Sequence, residues 1–347
     1  MKFLIPLVTA CAASLLCGSA WATITPQGCA DAKAYNRAQD GVSLVVLEDG
    51  VVVCEDYAVG DAATPHDLHS GSKSFLGVLA AAAVQDGLLS LDEKVADTIP
   101  EWKSDPLKAP TTLRQLLSLT SGLPSTIGQV PTFANAIAMP FNAPPGQTFQ
   151  YGPAPFQVFG EVLHRKLVAH GQPGDPLIYL RTRILDPIGV KYADWEYGKD
   201  QMPLLPRSAK LTAREWAKFG EFVRAGGKVN GQMIVDPAAF AELFRGTSVN
   251  PAYGLTWWLP KPSPSKDVVT ALSDMGKHAD QLPTDLVAGI GAGQQMLYVI
   301  PSMKLTIVRQ AKLDIMRLLR QSKSGPSPKD YSDYRFLSLL LVKPVAP

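Results

Sequence analysis

Hydrophobic and polar positions fall into blocks whose period changes twice along the chain. Ser43 to Glu48 and Val51 to Tyr57 are two runs rich in β-branched residues around Asp49-Gly50, which predicts a β-hairpin. Past its first turn, Ser70 to Gln85 is apolar on every side, so a helix buried all round is expected, with Gly77 and Ala80 to Ala83 letting neighbours approach closely. From about Thr111 to Gly246 the period is helical. Thr111 or Thr112 can cap Leu113 to Leu119, and Pro153 to Ala169 and Asp175 to Leu185 each form a helical stretch. Thr212 and Glu215 form a capping box opening a helix to Ala225, and Asp236-Pro237 supplies the start of another. Strand patterns return at Tyr253 to Leu259, Leu286 to Ile290, Gln295 to Ile300 and Leu305 to Gln310, before a last helix over Ser332 to Val342. Strands at both ends with helices between predict an α/β chain with one sheet assembled from distant segments, residues 23–110 and 252–347. Residues 111–251 are then a helical insertion.

The longest apolar run is at the start. Met1-Lys2 gives a positive end, Phe3 to Cys17 an apolar stretch, and Ala20-Trp21-Ala22 a small-x-small cleavage signal, so residues 1–22 read as a secretory signal peptide. The competing readings are an uncleaved anchor, for which the run is short, and a lipoprotein box at Val8 to Cys11. Cleavage would remove Cys11 and Cys17 and leave Cys29 and Cys54, an arrangement that suggests one disulfide in an exported domain, the alternative being two unpaired thiols. No second hydrophobic span follows, so a soluble periplasmic or secreted protein is expected. Apolar residues at 46% exclude wholesale disorder. Lys+Arg 33 against Asp+Glu 31 leaves +2, with no basic stripe of the kind nucleic-acid binding requires.

Candidate chemistry narrows quickly. No serine sits in Gly-x-Ser-x-Gly, which argues against a typical α/β-hydrolase. His66 and His69, three apart with Asp67 between them, could seed a metal site, although turn residues ahead of the buried helix are the plainer reading. Gly289 to Gly293 matches part of a phosphate loop, but Gln295 to Ile300 reads as a strand where a dinucleotide fingerprint would open a helix. Ser70-Gly71-Ser72-Lys73 is the stronger candidate. Ser263 to Lys266 has the same spacing inside a proline-rich loop, whereas Ser70 opens the buried helix and so has Lys73 one turn away on the same face. A serine hydroxyl needs a base to take its proton, and a lysine serves only when neutral, a state favoured by burial beside a positive helix end.

The order of further segments is specific. Ser70 to Phe75 is followed by Asp86 to Val95, Ile99 to Trp102, Leu113 to Pro124, Pro145-Gly146-Gln147-Thr148-Phe149-Gln150-Tyr151 and Leu211 to Gly220. This succession resembles the serine β-lactamase-like superfamily, above all class C β-lactamases, family VIII esterases and 6-aminohexanoate-dimer hydrolases, over roughly Val42 to Gln310. The resemblance implies an antiparallel sheet flanked by helices, with the active site between sheet and insertion. It also implies an acyl-enzyme on Ser70, with Lys73 and Tyr151 sharing proton transfer. No metal and no organic cofactor is required. Two departures bear on substrate. The family's Tyr-x-Asn is Tyr151-Gly152-Pro153, so the amide-contacting asparagine is missing. The family's Lys-Thr-Gly or His-Thr-Gly strand is matched by Gly289-Ile290-Gly291, without the cation that holds a substrate carboxylate, while a second oxyanion donor near Ala292 is retained. Both losses tilt the expectation from penicillins and D-Ala-D-Ala ends towards small-molecule esters or open-chain amides. The alternatives are a β-lactamase or D,D-peptidase with altered carboxylate recognition, and a catalytically idle homologue acting as a binding protein. Of Trp257 and Trp258, adjacent in a strand, one at most is expected to line the cleft.

Overall fold

The computed structural model describes residues 24–265 and 273–341. The expected signal peptide, with Cys11 and Cys17, and Lys266 of the second Ser-x-x-Lys spacing lie outside the described residues.

The two β-branched runs form the hairpin β1 (Gly41–Glu48) and β2 (Val51–Tyr57). Later in the chain come β3 (Val287–Gly291), β4 (Gln295–Ile300) and β5 (Leu305–Ala311). Together they make a five-stranded antiparallel sheet in the order β2-β1-β5-β4-β3, so the N-terminal hairpin pairs directly with the last strand. Gly41 to Leu47 and all of β4 and β5 are buried, because helices cover both faces of the sheet. A strand buried on both faces has no solvent side, so these segments show no polar-out alternation, and the polar residues they carry, such as Arg309 and Gln310, are buried and hydrogen-bonded.

One face is covered by α4 (Ala213–Arg224), which packs on β5, β4 and β1 although it falls within residues 111–251. The other carries α1 (Pro26–Ala38) against β1 and against α6 (Asp333–Leu340). Away from the sheet lie α2 (Ser74–Gln85) and α3 (Ala154–Ala169), with α5 (Ile315–Ser324) following β5. Ser74 to Ala83 of α2 are buried without a break, as their all-round apolarity predicts. Gly77 is the point of closest approach: a Cβ there would stand 2.5 Å from the Leu255 carbonyl oxygen. Thr112, Thr212 and Asp236 cap their helices as expected, accepting from the amides of Gln115, Glu215 and Ala239. The reciprocal capping box, however, forms at Thr112–Gln115 and not at Thr212, because the Glu215 carboxylate accepts from the Lys191 amide and Lys218 instead.

Three expectations need correction. Tyr253 to Leu259 is not a strand. It touches the edge strand only through Trp258, whose amide donates to Ala288 O at 2.8 Å, and Thr256 turns the chain with a left-handed φ of 75°. Its apolar character comes from burying Trp257 against Phe219 and Phe244, not from sheet pairing. Ser70 does not start an α-helix; His69–Lys73 is a 3-10 turn that leads into α2. The stretch Asp175 to Leu185 divides into an α-helix, Pro176–Leu180, and a π-turn, Arg181–Leu185.

Cys29 on α1 and Cys54 on β2 are bonded, tying the first helix to the edge of the sheet. The bridge closes a loop with a sequence separation of 25. Replacing both cysteines by serine is expected to lower unfolding free energy by roughly 3 kcal/mol, from the loop-closure entropy restored to the unfolded chain. Denaturant unfolding of the double variant against wild type measures it; a loss below about 0.5 kcal/mol would mean that native-state strain cancels this entropy.

Candidate active site

The 3-10 geometry has a direct consequence for Ser70 and Lys73, since side chains three apart eclipse one another in such a turn. Lys73 Nζ lies 2.9 Å from Ser70 Oγ and donates to the Pro206 carbonyl at 3.1 Å. Ser70 is half-buried and opens on a cleft, while Lys73 beneath it is 4% exposed. Burial penalises the ammonium and, helped by the positive charge of Arg207, pushes the Lys73 pKa down to about 7. Near neutral pH a large share of this lysine is therefore the free amine.

The turn is held from several sides. Ser72 Oγ donates to His69 O at 2.7 Å and accepts from the Ala209 amide at 3.0 Å. The Leu68 amide donates to Ala209 O, and His66 and Asp67 pair with Leu211 and Lys210. His69, immediately before Ser70, has a left-handed φ of 48°, a conformation that costs a non-glycine residue about 1–2 kcal/mol and persists only where its surroundings impose it.

Tyr151 comes into the same cleft from the loop ahead of α3. Its ring centre is 5.0 Å from Lys73 Nζ, and the ring packs beside Trp258 with centroids 5.7 Å apart. Edge strand β3 supplies the facing wall through Ile290, Gly291 and Ala292. Gly291 is required there, because a Cβ would fall 2.0 Å from Leu68 O and 2.9 Å from the Gly71 amide nitrogen. Gly289 stands behind that wall, against Ser74. The hairpin turn after β3 is fixed by the fully buried Arg309, which donates to Gln294 O at 2.6 Å.

These residues line a cleft of about 240 Å³ that includes Ser70, Lys73, Tyr151, Arg207 and Ala292, with a lobe of about 80 Å³ reaching Trp258 and Gly291. Ser70, Lys73, Tyr151, Ile290, Gly291 and Ala292 thus converge, and Gly289 does not join them. Trp258 lines the lobe while Trp257 is fully buried, so one of the two tryptophans reaches the cleft. His69 lines the cleft but His66 is paired in a short strand, and no group of three or more His, Cys, Asp or Glu among the described residues is placed to hold a metal. Sequence reasoning missed Arg207, the loop residues Ile127, Gly128 and Val130, and Leu313 and Leu318 at the far rim. No sequence signal marks them: Arg207 stands out only once the structure shows it exposed between the buried Pro206 and Ser208.

Comparison with known proteins gives one consistent answer. The family model described as Beta-lactamase matches residues 28–314. An uncharacterized protein of Alkalihalophilus pseudofirmus is 24% identical over 302 residues, spanning 78% of this chain and 83% of its own. Among solved structures, a Bacteroides dorei protein provisionally described as a β-lactamase superposes with a TM-score of 0.70 at 18% identity, over 91% of this chain and 98% of that one. A family VIII carboxylesterase superposes with a TM-score of 0.64 at 15% identity, over 92% and 98%.

Substituting Gly291→Ala should force the edge strand away from the Leu68–Gly71 turn and lower stability by roughly 1–3 kcal/mol, the usual range for overpacking. Thermal unfolding reads the change. An unaltered midpoint would show that the strand does not contact the turn through this residue.

Proposed function

Because the chain belongs to the Beta-lactamase family, we propose that it is an exported serine hydrolase that cleaves carboxylic esters or open-chain amides through an acyl-enzyme on Ser70. The observation that carries this reading is the buried Lys73 amine 2.9 Å from the Ser70 hydroxyl, its pKa pushed down to about 7 by that burial.

In the proposed reaction Ser70 Oγ attacks the substrate carbonyl carbon and its proton passes to the lone pair of Lys73 Nζ. The Pro206 carbonyl takes one Lys73 N–H and so helps orient that amine. Negative charge on the substrate oxygen is met by the backbone amides of Ser70 and Ala292. As the carbonyl re-forms, the bond to the leaving oxygen or nitrogen breaks, and that atom takes a proton from Lys73 or Tyr151. Water then attacks the acyl-enzyme, gives a proton back through Tyr151 and Lys73, and releases the acid with Ser70 restored. The Gly289-Ile290-Gly291 strand lacks the cation with which the family holds the carboxylate of a β-lactam, which favours esters and open-chain amides over penicillins. The Cys29–Cys54 bond supports an oxidising compartment, as does a signal peptide ending at Ala22.

With p-nitrophenyl hexanoate as substrate, Ser70→Ala should abolish the covalent intermediate seen by intact-protein mass spectrometry. Lys73→Ala and Tyr151→Phe should each cost roughly 10²–10⁴-fold in kcat/KM, the range for loss of a proton-transfer group. Turnover retained in Ser70→Ala would contradict the assignment, and labelling by a fluorescent penicillin in preference to ester turnover would favour a β-lactamase or D,D-peptidase. Lys73 must be unprotonated to act, so kcat/KM should rise with pH, bend at about 7 and level off above it. A rising limb that continues to about pH 10 would instead fit an ordinary, solvated lysine.

A further inference from the structure

Arg207 gives the cleft a property that the proposed reaction does not use. Its guanidinium and the Lys73 amine lie in a cleft lined, among the described residues, by no Asp or Glu. Arg207 is exposed, donates from Nη1 to Gly128 O at 3.1 Å, and takes part in no ion pair among the described residues. A guanidinium offers five N–H donors in a planar fork that matches a carboxylate, and the Gly128 carbonyl takes one of them. The backbone around it is fixed relative to the nucleophile. Pro206 holds Lys73 through its carbonyl, and Ala209 bonds to both Leu68 and Ser72. The side chains lining the rest of this cleft are largely apolar, among them Ile127, Val130 and Leu318. An uncompensated cation among apolar walls attracts an anion attached to a hydrocarbon and disfavours a cationic ligand.

We infer that Arg207 binds the carboxylate of the substrate, and that the preferred substrates are esters or open-chain amides bearing a carboxylate on a short apolar chain; this rests on the hydrolase reading above. The anion site absent from Gly289-Ile290-Gly291 is then supplied by the segment that also anchors Lys73.

Matched substrates test it. On the acyl side, mono-p-nitrophenyl adipate differs from p-nitrophenyl hexanoate only by a carboxylate in place of a terminal methyl. On the leaving-group side, 4-(carboxymethyl)phenyl hexanoate is paired with p-tolyl hexanoate. Work at about pH 8.5 keeps Lys73 unprotonated, so that loss of the Arg207 charge does not act through it. Wild type should prefer the anionic member of at least one pair, and Arg207→Ala should reduce that kcat/KM ratio by roughly tenfold or more. Arg207→Lys should restore part of the preference, Arg207→Glu should invert it, and added salt should weaken it in wild type. Equal ratios in wild type and Arg207→Ala for both pairs would overturn the inference. Calorimetry on the Ser70→Ala protein, comparing monomethyl adipate with methyl hexanoate, needs no turnover. Arg207-dependent binding there without turnover of any ester by wild type would sink the hydrolase reading alone, whereas turnover with unchanged ratios would sink the carboxylate site alone.

Discussion

An amine one turn from a hydroxyl is useful as a base only where water cannot keep it charged, and the architecture around Lys73 meets that condition. The lysine enters from a 3-10 turn that continues into α2, a helix buried on every side, and although its tip borders the cleft the side chain is only 4% exposed. Its neighbours are the Pro206 carbonyl, the Ser70 hydroxyl and the rings of Tyr151 and Phe156, the last with its centre 5.7 Å from Nζ. Among the described residues no Asp or Glu lines the cleft beside it, so no carboxylate there offsets the cost of burying the charge. An acid at this position would raise the pKa again and return the lysine to the ammonium form.

The remaining features of the cleft can be understood as support for that arrangement. Edge strand β3 comes within backbone contact of the turn and sets Ala292 on the cleft beside Ser70, and only a residue without a side chain fits at Gly291. The turn beyond it is held by two side chains buried in the sheet, Arg309 donating to Gln294 O and the Gln295 amide donating to Ala292 O. On the other side, the short pairing of His66 with Leu211 and Asp67 with Lys210 ties the chain leading into Ser70 to the segment that follows Pro206 and Arg207. A left-handed His69 next to Ser70 is a local cost that these contacts sustain.

Much of this was legible from residue patterns. The hairpin is marked by Asp49-Gly50 between β-branched runs, and α2 by apolarity without a polar face. Ser70 and Lys73 stand out because a spacing of three brings them together in either an α or a 3-10 turn, so the error in helix type did not matter. The segment Tyr253 to Leu259 misled because aromatic residues bury themselves equally well in a turn packed under a sheet edge, and periodicity does not distinguish the two. Helix α1 escaped because Ala, Gly, Lys and Gln give it little hydrophobic stripe, and it is set by its cap Thr25 and by contacts with β1 and α6. Arg207 was invisible for a different reason: an exposed arginine is ordinary in sequence, and only the cleft shows that it faces no acid. Tyr151 and the β3 glycines were legible through family resemblance, not through any property of those residues alone.

Whether Lys73 can accept a proton from Ser70 depends on the charge state of that one side chain. Selective isotope labelling of lysines and NMR detection of the Lys73 ε-methylene shift across pH, assigned by loss of the signal in Lys73→Arg, would report its titration directly. A midpoint near 7 is expected for an amine buried in this way; a midpoint near 10.5, the value of a solvated lysine, would show that Lys73 stays charged at neutral pH and is no base for Ser70.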